Sequence, residues 1–218
     1  MNEKSFEDQR KNLVEYLSGI AIRSDNIKKA FLQIKRENFV PQKMRQFSYE
    51  DSPLPLGEGQ TISQPQTIAL MLELLNAKEA MKVLEIGSGS GYVLALLSKI
   101  VGKSGSVYGV EIDQKLAEIS KNNLAIEGIK NAHITLGDGA FGWAQNAPYD
   151  RILISCACPF IPKELFNELS EDGRIIAPVG DSAMQIMEIM VKKNGAPIKK
   201  TVEGEIFTFV PMKGKLDF

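Results

Sequence analysis

Val83-Leu84-Glu85-Ile86-Gly87-Ser88-Gly89-Ser90-Gly91-Tyr92 is the stretch whose reading decides the fold. Lys82 to Ile86 reads as a buried strand, and three glycines then alternate before a helical stretch opens at Tyr92 and runs to about Val101. Glycines after a strand let the backbone turn tightly and approach a ligand closely, and the helix start behind them offers free N–H groups. Downstream the pattern repeats. Apolar, β-rich runs at Val107 to Ile112, His133 to Leu136, Arg151 to Ser155 and Arg174 to Val179 are separated by helical stretches at Gln114 to Ile126 and Lys163 to Leu169. Such alternation predicts an α/β fold with a doubly wound, mostly parallel sheet, whose ligands bind beyond the carboxyl ends of the strands.

Upstream, Leu13, Leu17 and Ile20 share one helical face, and after Ser24-Asp25 a second set, Ile27, Phe31 and Ile34, repeats the spacing, so a small helical subdomain is expected. From Phe47 to Pro65 the chain is dense in Pro and Gly and predicts a long ordered loop, of the kind that carries function. Thr67 to Leu75 reads as an apolar helix. At the other end, MQIMEIMVKK and EIFTFVPM, with Asn194-Gly195 between them, read as strands without an intervening helix, which predicts an antiparallel C-terminal edge. The division expected is residues 1–76 for the helices and the loop, packed on a nucleotide-type domain over 77–218.

The spacing of the turn narrows the ligand. It is G-x-G-x-G with Tyr92 next, so the third glycine of the dinucleotide fingerprint is misplaced, which demotes NAD and FAD. Gly102-Lys103-Ser104 is no P-loop, because the glycine required five residues earlier is Leu97; it reads as a helix-ending turn. Glu111 ends the second strand 24 residues after Gly87, where a carboxylate can accept both hydroxyls of a ribose. Asp138, in the Gly137-Asp138-Gly139 that follows the third strand, could accept from an adenine amino group. Ribose and adenine without a pyrophosphate is the nucleoside half of S-adenosylmethionine.

Composition removes other chemistries. The chain has 218 residues, 26 Lys and Arg against 27 Asp and Glu, two cysteines and one histidine. A Ser/His/Asp triad depends on one well-placed imidazole and zinc sites draw on several His and Cys, so both start far behind and no metal is expected. Near-neutral charge argues against binding nucleic acid by a basic face. No apolar run approaches the roughly 18 residues of a membrane span, and the polar start MNEKSFEDQRKN lacks the apolar stretch of a signal peptide, so a cytoplasmic protein without membrane contact is expected.

The ordered series NFVP at 38–41, YEDSPLPLGEGQTISQP, LEIGSGSGY, GDG, YDRILIS, GRIIAPVG and FVPM resembles the protein-L-isoaspartate O-methyltransferases across nearly the whole chain. These are class I S-adenosylmethionine-dependent methyltransferases with a Rossmann-like core. The resemblance implies S-adenosylmethionine as cofactor, S-adenosylhomocysteine as product, and as substrate the free α-carboxylate of L-isoaspartyl residues in damaged proteins and peptides. It places Ser63 at the active-site position, with Gln60, Thr61, Ile62 and Ser63 as a cover over substrate and cofactor. Glu85, Gly87, Gly89, Gly91, Glu111, Ile112, Gly137 and Asp138 correspond to cofactor contacts, and Val210 to the segment that pairs with substrate backbone. A monomer is favoured.

The chemistry matches the composition, since a carboxylate is ionised at neutral pH and a methyl acceptor of that kind requires no general base. Ser63 is therefore expected to donate a hydrogen bond that positions the carboxylate, or else to satisfy backbone in a Pro-rich turn. Glu58 stands where the family commonly has tyrosine, and Cys156 and Cys158 replace a small Thr/Ala run; they read as two reduced small residues. His133 reads as structural, and Trp143 as either a flank for adenine or a core residue. The alternatives are a related methyltransferase acting on a tRNA base or a biosynthetic peptide carboxylate, and a cofactor-fold binding protein without turnover.

Overall fold

The structure, a computed structural model, describes residues 5–216. Two helices open it, α1 over Phe6–Ile20 and α2 over Asp25–Gln33. Ser5 caps α1 by accepting from the Asp8 N–H. Leu13 and Leu17 are buried as their spacing predicts, as are Ile27, Phe31 and Ile34, but Ile20 is 47% exposed because the helix runs out past the core there. A two-stranded hairpin, β1 (Leu54–Gly57) and β2 (Gln60–Ile62), lies inside the segment expected to be loop. Its strands are too short and too rich in Pro and Gly to display alternation. Helix α3 spans Pro65–Leu75, with Pro at its first turn and Asn76 in the left-handed conformation at its end.

The alternating core follows as β3 (Lys82–Ile86), α4 (Tyr92–Val101), β4 (Ser106–Glu111), α5 (Gln114–Ile126), β5 (Ala132–Leu136), β6 (Tyr149–Ile154), α6 (Lys163–Asn167) and β7 (Leu169–Gly180). Two antiparallel strands, β8 (Gln185–Lys193) and β9 (Ala196–Thr201), complete a seven-stranded sheet of order β5-β4-β3-β6-β7-β8-β9. The first five strands of that order are parallel and the last two antiparallel. The antiparallel edge was expected, but not its membership. The turn at Asn194-Gly195 joins β8 to β9, whereas residues 205–212 form only isolated bridges, Phe207 to Gln185 and Pro211 to Ala157. Every residue of β9 is exposed, so it carries no apolar alternation to read, while the apolar residues of 205–212 are spent partly on the core, with Phe209 and Met212 buried.

The sheet is covered on both faces. Val83, Leu153 and Ile176 share one core with α4 and with Leu13, Leu17 and Phe31 of the N-terminal helices. Leu84, Ile86, Ile152, Ile154 and Ile175 point to the other face, against Leu165 and Tyr149. Helix α4 is buried almost all round because it is sandwiched between the sheet and α2. Trp143 stacks edge-on against Tyr108, 5.4 Å between ring centroids, on the second face, and His133 lies against the same ring at 5.3 Å. Trp143 belongs to the packing of that face, whereas His133 lies exposed on the edge strand.

Gly91, expected to contact cofactor, also meets a demand of the fold itself. It is the N-cap of α4 with φ +85°, and a Cβ there would lie 2.3 Å from the Ser120 hydroxyl of α5. Its absence of side chain serves helix packing. Gly91→Ala should cost about 2 kcal/mol or more, combining left-handed strain with overlap. Chemical denaturation checks it, with Ser120→Gly in the same chain recovering part of the loss.

Candidate active site

At the carboxyl end of β3 the ladder of the sheet continues into the turn. The Gly87 N–H donates to the Val110 carbonyl at 2.9 Å, and on the other flank the Ser155 N–H donates to the Ile86 carbonyl at 2.8 Å. The turn is then fixed from β4: Glu111 accepts the Gly89 N–H at 2.8 Å on one oxygen and the Asp113 N–H at 3.0 Å on the other. Each oxygen keeps a lone pair, and Glu111 lines the cavity above the turn. That is the acceptor pattern a vicinal diol requires.

The front of the chain supplies the opposite wall. Asp51 accepts from the Gln66 N–H at 2.8 Å and from the Gln64 side chain at 3.1 Å, which holds the end of β2 against the start of α3. Arg36 donates to the Ser63 carbonyl at 3.0 Å. The hairpin tip reaches the core through an exposed ion pair, Glu58 to Lys115 at 2.5 Å, so the acid that departs from the family pattern faces a lysine at the head of α5. The third wall is the segment 205–213. Gln185, fully buried, accepts the Phe209 N–H at 2.7 Å with its side chain and bridges Phe207 with its backbone, while Ala157 exchanges hydrogen bonds with Val210 and Met212. Together these walls enclose a cavity of about 480 Å³.

The sequence matches the family model described as Protein-L-isoaspartate(D-aspartate) O-methyltransferase over residues 8–217. It is 42% identical to the protein-L-isoaspartate O-methyltransferase of Methanosarcina mazei, covering 99% of this chain and 88% of that one. It is 40% identical to protein-L-isoaspartate O-methyltransferase 1 of Archaeoglobus fulgidus, covering 98% and 97%. The chain belongs to this family. Among solved structures it is similar to a protein-L-isoaspartate O-methyltransferase with a TM-score of 0.87 at 34% identity, over 95% of this chain and 67% of that chain. A putative member from Plasmodium falciparum, solved in complex with S-adenosyl-L-homocysteine, gives a TM-score of 0.81 at 25% identity over 97% and 99%.

Of the residues expected to form the methyltransferase site, Gln60, Thr61, Ser63, Gly87, Gly89, Glu111, Ile112 and Val210 line the main cavity. Ile62 and Glu85 line a smaller recess of about 50 Å³ under the same glycine turn, which Thr61, Ser63, Gly87 and Gly89 also border. Three do not border either space. Gly91 packs on Ser120, as above. Gly137 continues the ladder by donating to the Glu111 carbonyl at 2.9 Å. Asp138 caps the turn after β5 by accepting the Ala140 N–H at 2.9 Å, and its other oxygen accepts the Lys215 N–H at 2.7 Å from the C-terminal tail. As at Glu111, each oxygen keeps a second lone pair. Sequence reasoning missed Gln66, Thr67, Ser155 and Cys156, which line the cavity. The last two were legible in principle, since they directly follow a strand of the parallel sheet.

Burial dominates the electrostatics. Glu85 is fully buried; one oxygen accepts from the Ser155 hydroxyl at 2.7 Å and the other has no partner among the described residues. Desolvation, reinforced by the charge of Glu111, raises its pKa from 4.5 to about 8, partly offset by Ser155. Because the folded pKa lies above the unfolded one, this carboxyl binds more protons when folded. Its contribution to stability is full below about 4.5 and is lost as pH rises through about 8. Wild type should therefore lose stability relative to Glu85→Gln between about pH 5 and pH 8 in denaturation titrations. Parallel curves for the two proteins would refute the burial argument.

Proposed function

We propose that this methyltransferase transfers a methyl group from S-adenosylmethionine to the free α-carboxylate of L-isoaspartyl residues in damaged proteins and peptides. The observation that carries the reading is the shared cavity: the glycine turn with Glu111 forms one wall, and the Gln60–Ser63 segment faces it across a space that a cofactor and a peptide side branch can occupy together. The residues fit the cofactor chemically. Gly87 and Gly89 leave room for close backbone approach, Glu111 presents free lone pairs to a ribose, and the unpartnered Glu85 oxygen offers a buried acceptor to a cationic group. When bound, S-adenosylmethionine supplies an electrophilic methyl group on a cationic sulfur.

What remains for the chain is placement. An α-carboxylate is ionised at neutral pH, so no residue has to remove a proton from it. Ser63 holds the acceptor carboxylate by donating its hydroxyl hydrogen bond, with Gln60, Thr61 and Ile62 closing the space against water. The backbone of Val210, anchored from behind through its carbonyl to the Ala157 N–H at 2.9 Å, supports pairing with the substrate main chain. The cavity rim formed by the hairpin and residues 205–213 suits an extended peptide.

The test offers a peptide with one isoaspartyl linkage beside its normal-aspartyl twin and follows base-labile methyl transfer. Transfer confined to the isoaspartyl peptide is expected; equal labelling of the twins, or methylation of RNA instead, would sink the reading. Ser63→Ala should lower turnover roughly 10- to 100-fold, the worth of a hydrogen bond to a charged group, while calorimetry finds S-adenosylhomocysteine affinity nearly intact. Glu111→Gln should do the reverse, weakening S-adenosylhomocysteine by about tenfold or more, because an amide cannot accept both backbone N–H bonds and a diol.

A further inference from the structure

Arg36 is completely buried, yet no carboxylate lies within ion-pairing distance of it among the described residues. One of its terminal nitrogens donates to the Ser63 carbonyl, Nε and Nη1 make no well-aligned hydrogen bond, and the Tyr92 side chain is the foremost group that favours its charge. Its guanidinium lies 5.1 Å from the centre of the Tyr92 ring. Burial of a cation in this state is expensive, and a well-packed apolar side chain at such a position is commonly as good for the fold or better. A neutral tyrosine and one carbonyl leave most of this positive charge without a counter-charge in contact.

The surroundings show what the charge is set against. Glu37, next in sequence, is matched by Arg10 at 3.8 Å and by the Tyr49 hydroxyl. Asp51 is the carboxylate whose charge acts on Arg36, and its own oxygens serve only neutral donors, the Gln66 N–H and the Gln64 amide. Asp51, Gln64 and Gln66 back the wall that carries Ser63. Without Arg36 that wall would hold an uncompensated negative charge beside the place where an anion must enter.

We propose that Arg36 is the positioning residue for the anionic substrate: it fixes the Ser63 backbone and cancels the negative field of Asp51, so that the α-carboxylate can dock on Ser63. It does this without lining the cavity and without touching the substrate. The inference deepens the isoaspartyl reading and rests on it.

Methyl transfer to the isoaspartyl peptide separates the possibilities. Arg36→Met, which keeps the volume and removes the charge, should raise the peptide KM by about tenfold or more, with S-adenosylhomocysteine affinity within about twofold of wild type. Adding Asp51→Asn restores neutrality and should recover much of the KM; a purely structural role for Arg36 gives no recovery. A wild-type KM in Arg36→Met, or no recovery in the double variant, overturns the inference while the functional reading stands. Absence of isoaspartyl methylation in wild type overturns both. Should Arg36→Met not fold, Asp51→Asn alone decides: with the charge of Arg36 no longer cancelled, the peptide KM should fall about threefold or more while S-adenosylhomocysteine affinity stays within about twofold. An unchanged or raised KM would overturn the inference while isoaspartyl methylation, and with it the functional reading, stands.

Discussion

The site depends on one constraint, the continuation of the parallel hydrogen-bond ladder past the last residues of the strands. Gly137 donates to Glu111, Gly87 to Val110 and Ser155 to Ile86, so the first loop residue after each of β5, β3 and β6 is still held by its neighbouring strand. Loops with that support begin in fixed directions. Only then can Glu111 reach the Gly89 N–H and hold the turn open, and only then does Cys156 sit 3.4 Å from where a Gly87 side chain would start. Of the glycines expected to touch ligand, Gly87 and Gly89 line the cavity, Gly91 lies against Ser120 of α5, and Gly137 continues the ladder of the sheet.

The N-terminal layer solves a different problem. A parallel sheet with a glycine turn makes a cofactor platform, but not a chamber. The helices α1 and α2 share a core with α4, and from that rigid base Arg36 and Asp51 grip opposite ends of the segment Ser63–Gln66. The grip is made by a fully buried cation and a partly buried carboxylate, which cost stability and offer in exchange a fixed geometry and a fixed sign of field. Glu85 is the counterpart under the turn, a buried carboxyl held mostly neutral at neutral pH by desolvation. The chamber therefore lies between a buried cation behind the hairpin and a buried acid beneath the turn.

How much of this the sequence disclosed follows from where periodicity is strong. Strand β3 and helices α4 and α5 match their expected bounds because each carries a full apolar pattern closed by Gly or Asp. The hairpin at Leu54–Ile62 and strand β9 were not legible: the first is too short for a pattern and the second is exposed on both faces. Residues 205–212 misled in the opposite sense, since alternating Ile206, Thr208 and Val210 mimic a strand in a segment that spans a cavity mouth. At the site, position along the chain identified residues that lie at strand ends. It could not identify Arg36, whose relation to Ser63 bridges 27 residues and is made through a backbone carbonyl.

The lone histidine acquires meaning from these contacts. His133 lies on the edge strand β5 against Tyr108, away from the cavity, and among the described residues no cluster of three or more His, Cys, Asp or Glu could hold a metal. A site whose acceptor arrives already ionised needs fixed dipoles and exclusion of water more than a proton relay. It also needs its own nucleophiles kept quiet, because a reactive thiolate beside a methyl donor would compete with the substrate. Cys156 borders the cavity, and desolvation, reinforced by the carboxylate of Glu111, pushes its thiol well above the usual range. The thiol therefore stays protonated at neutral pH and weakly nucleophilic. The same desolvation that favours transfer to a carboxylate keeps the neighbouring sulfur from taking the methyl group itself.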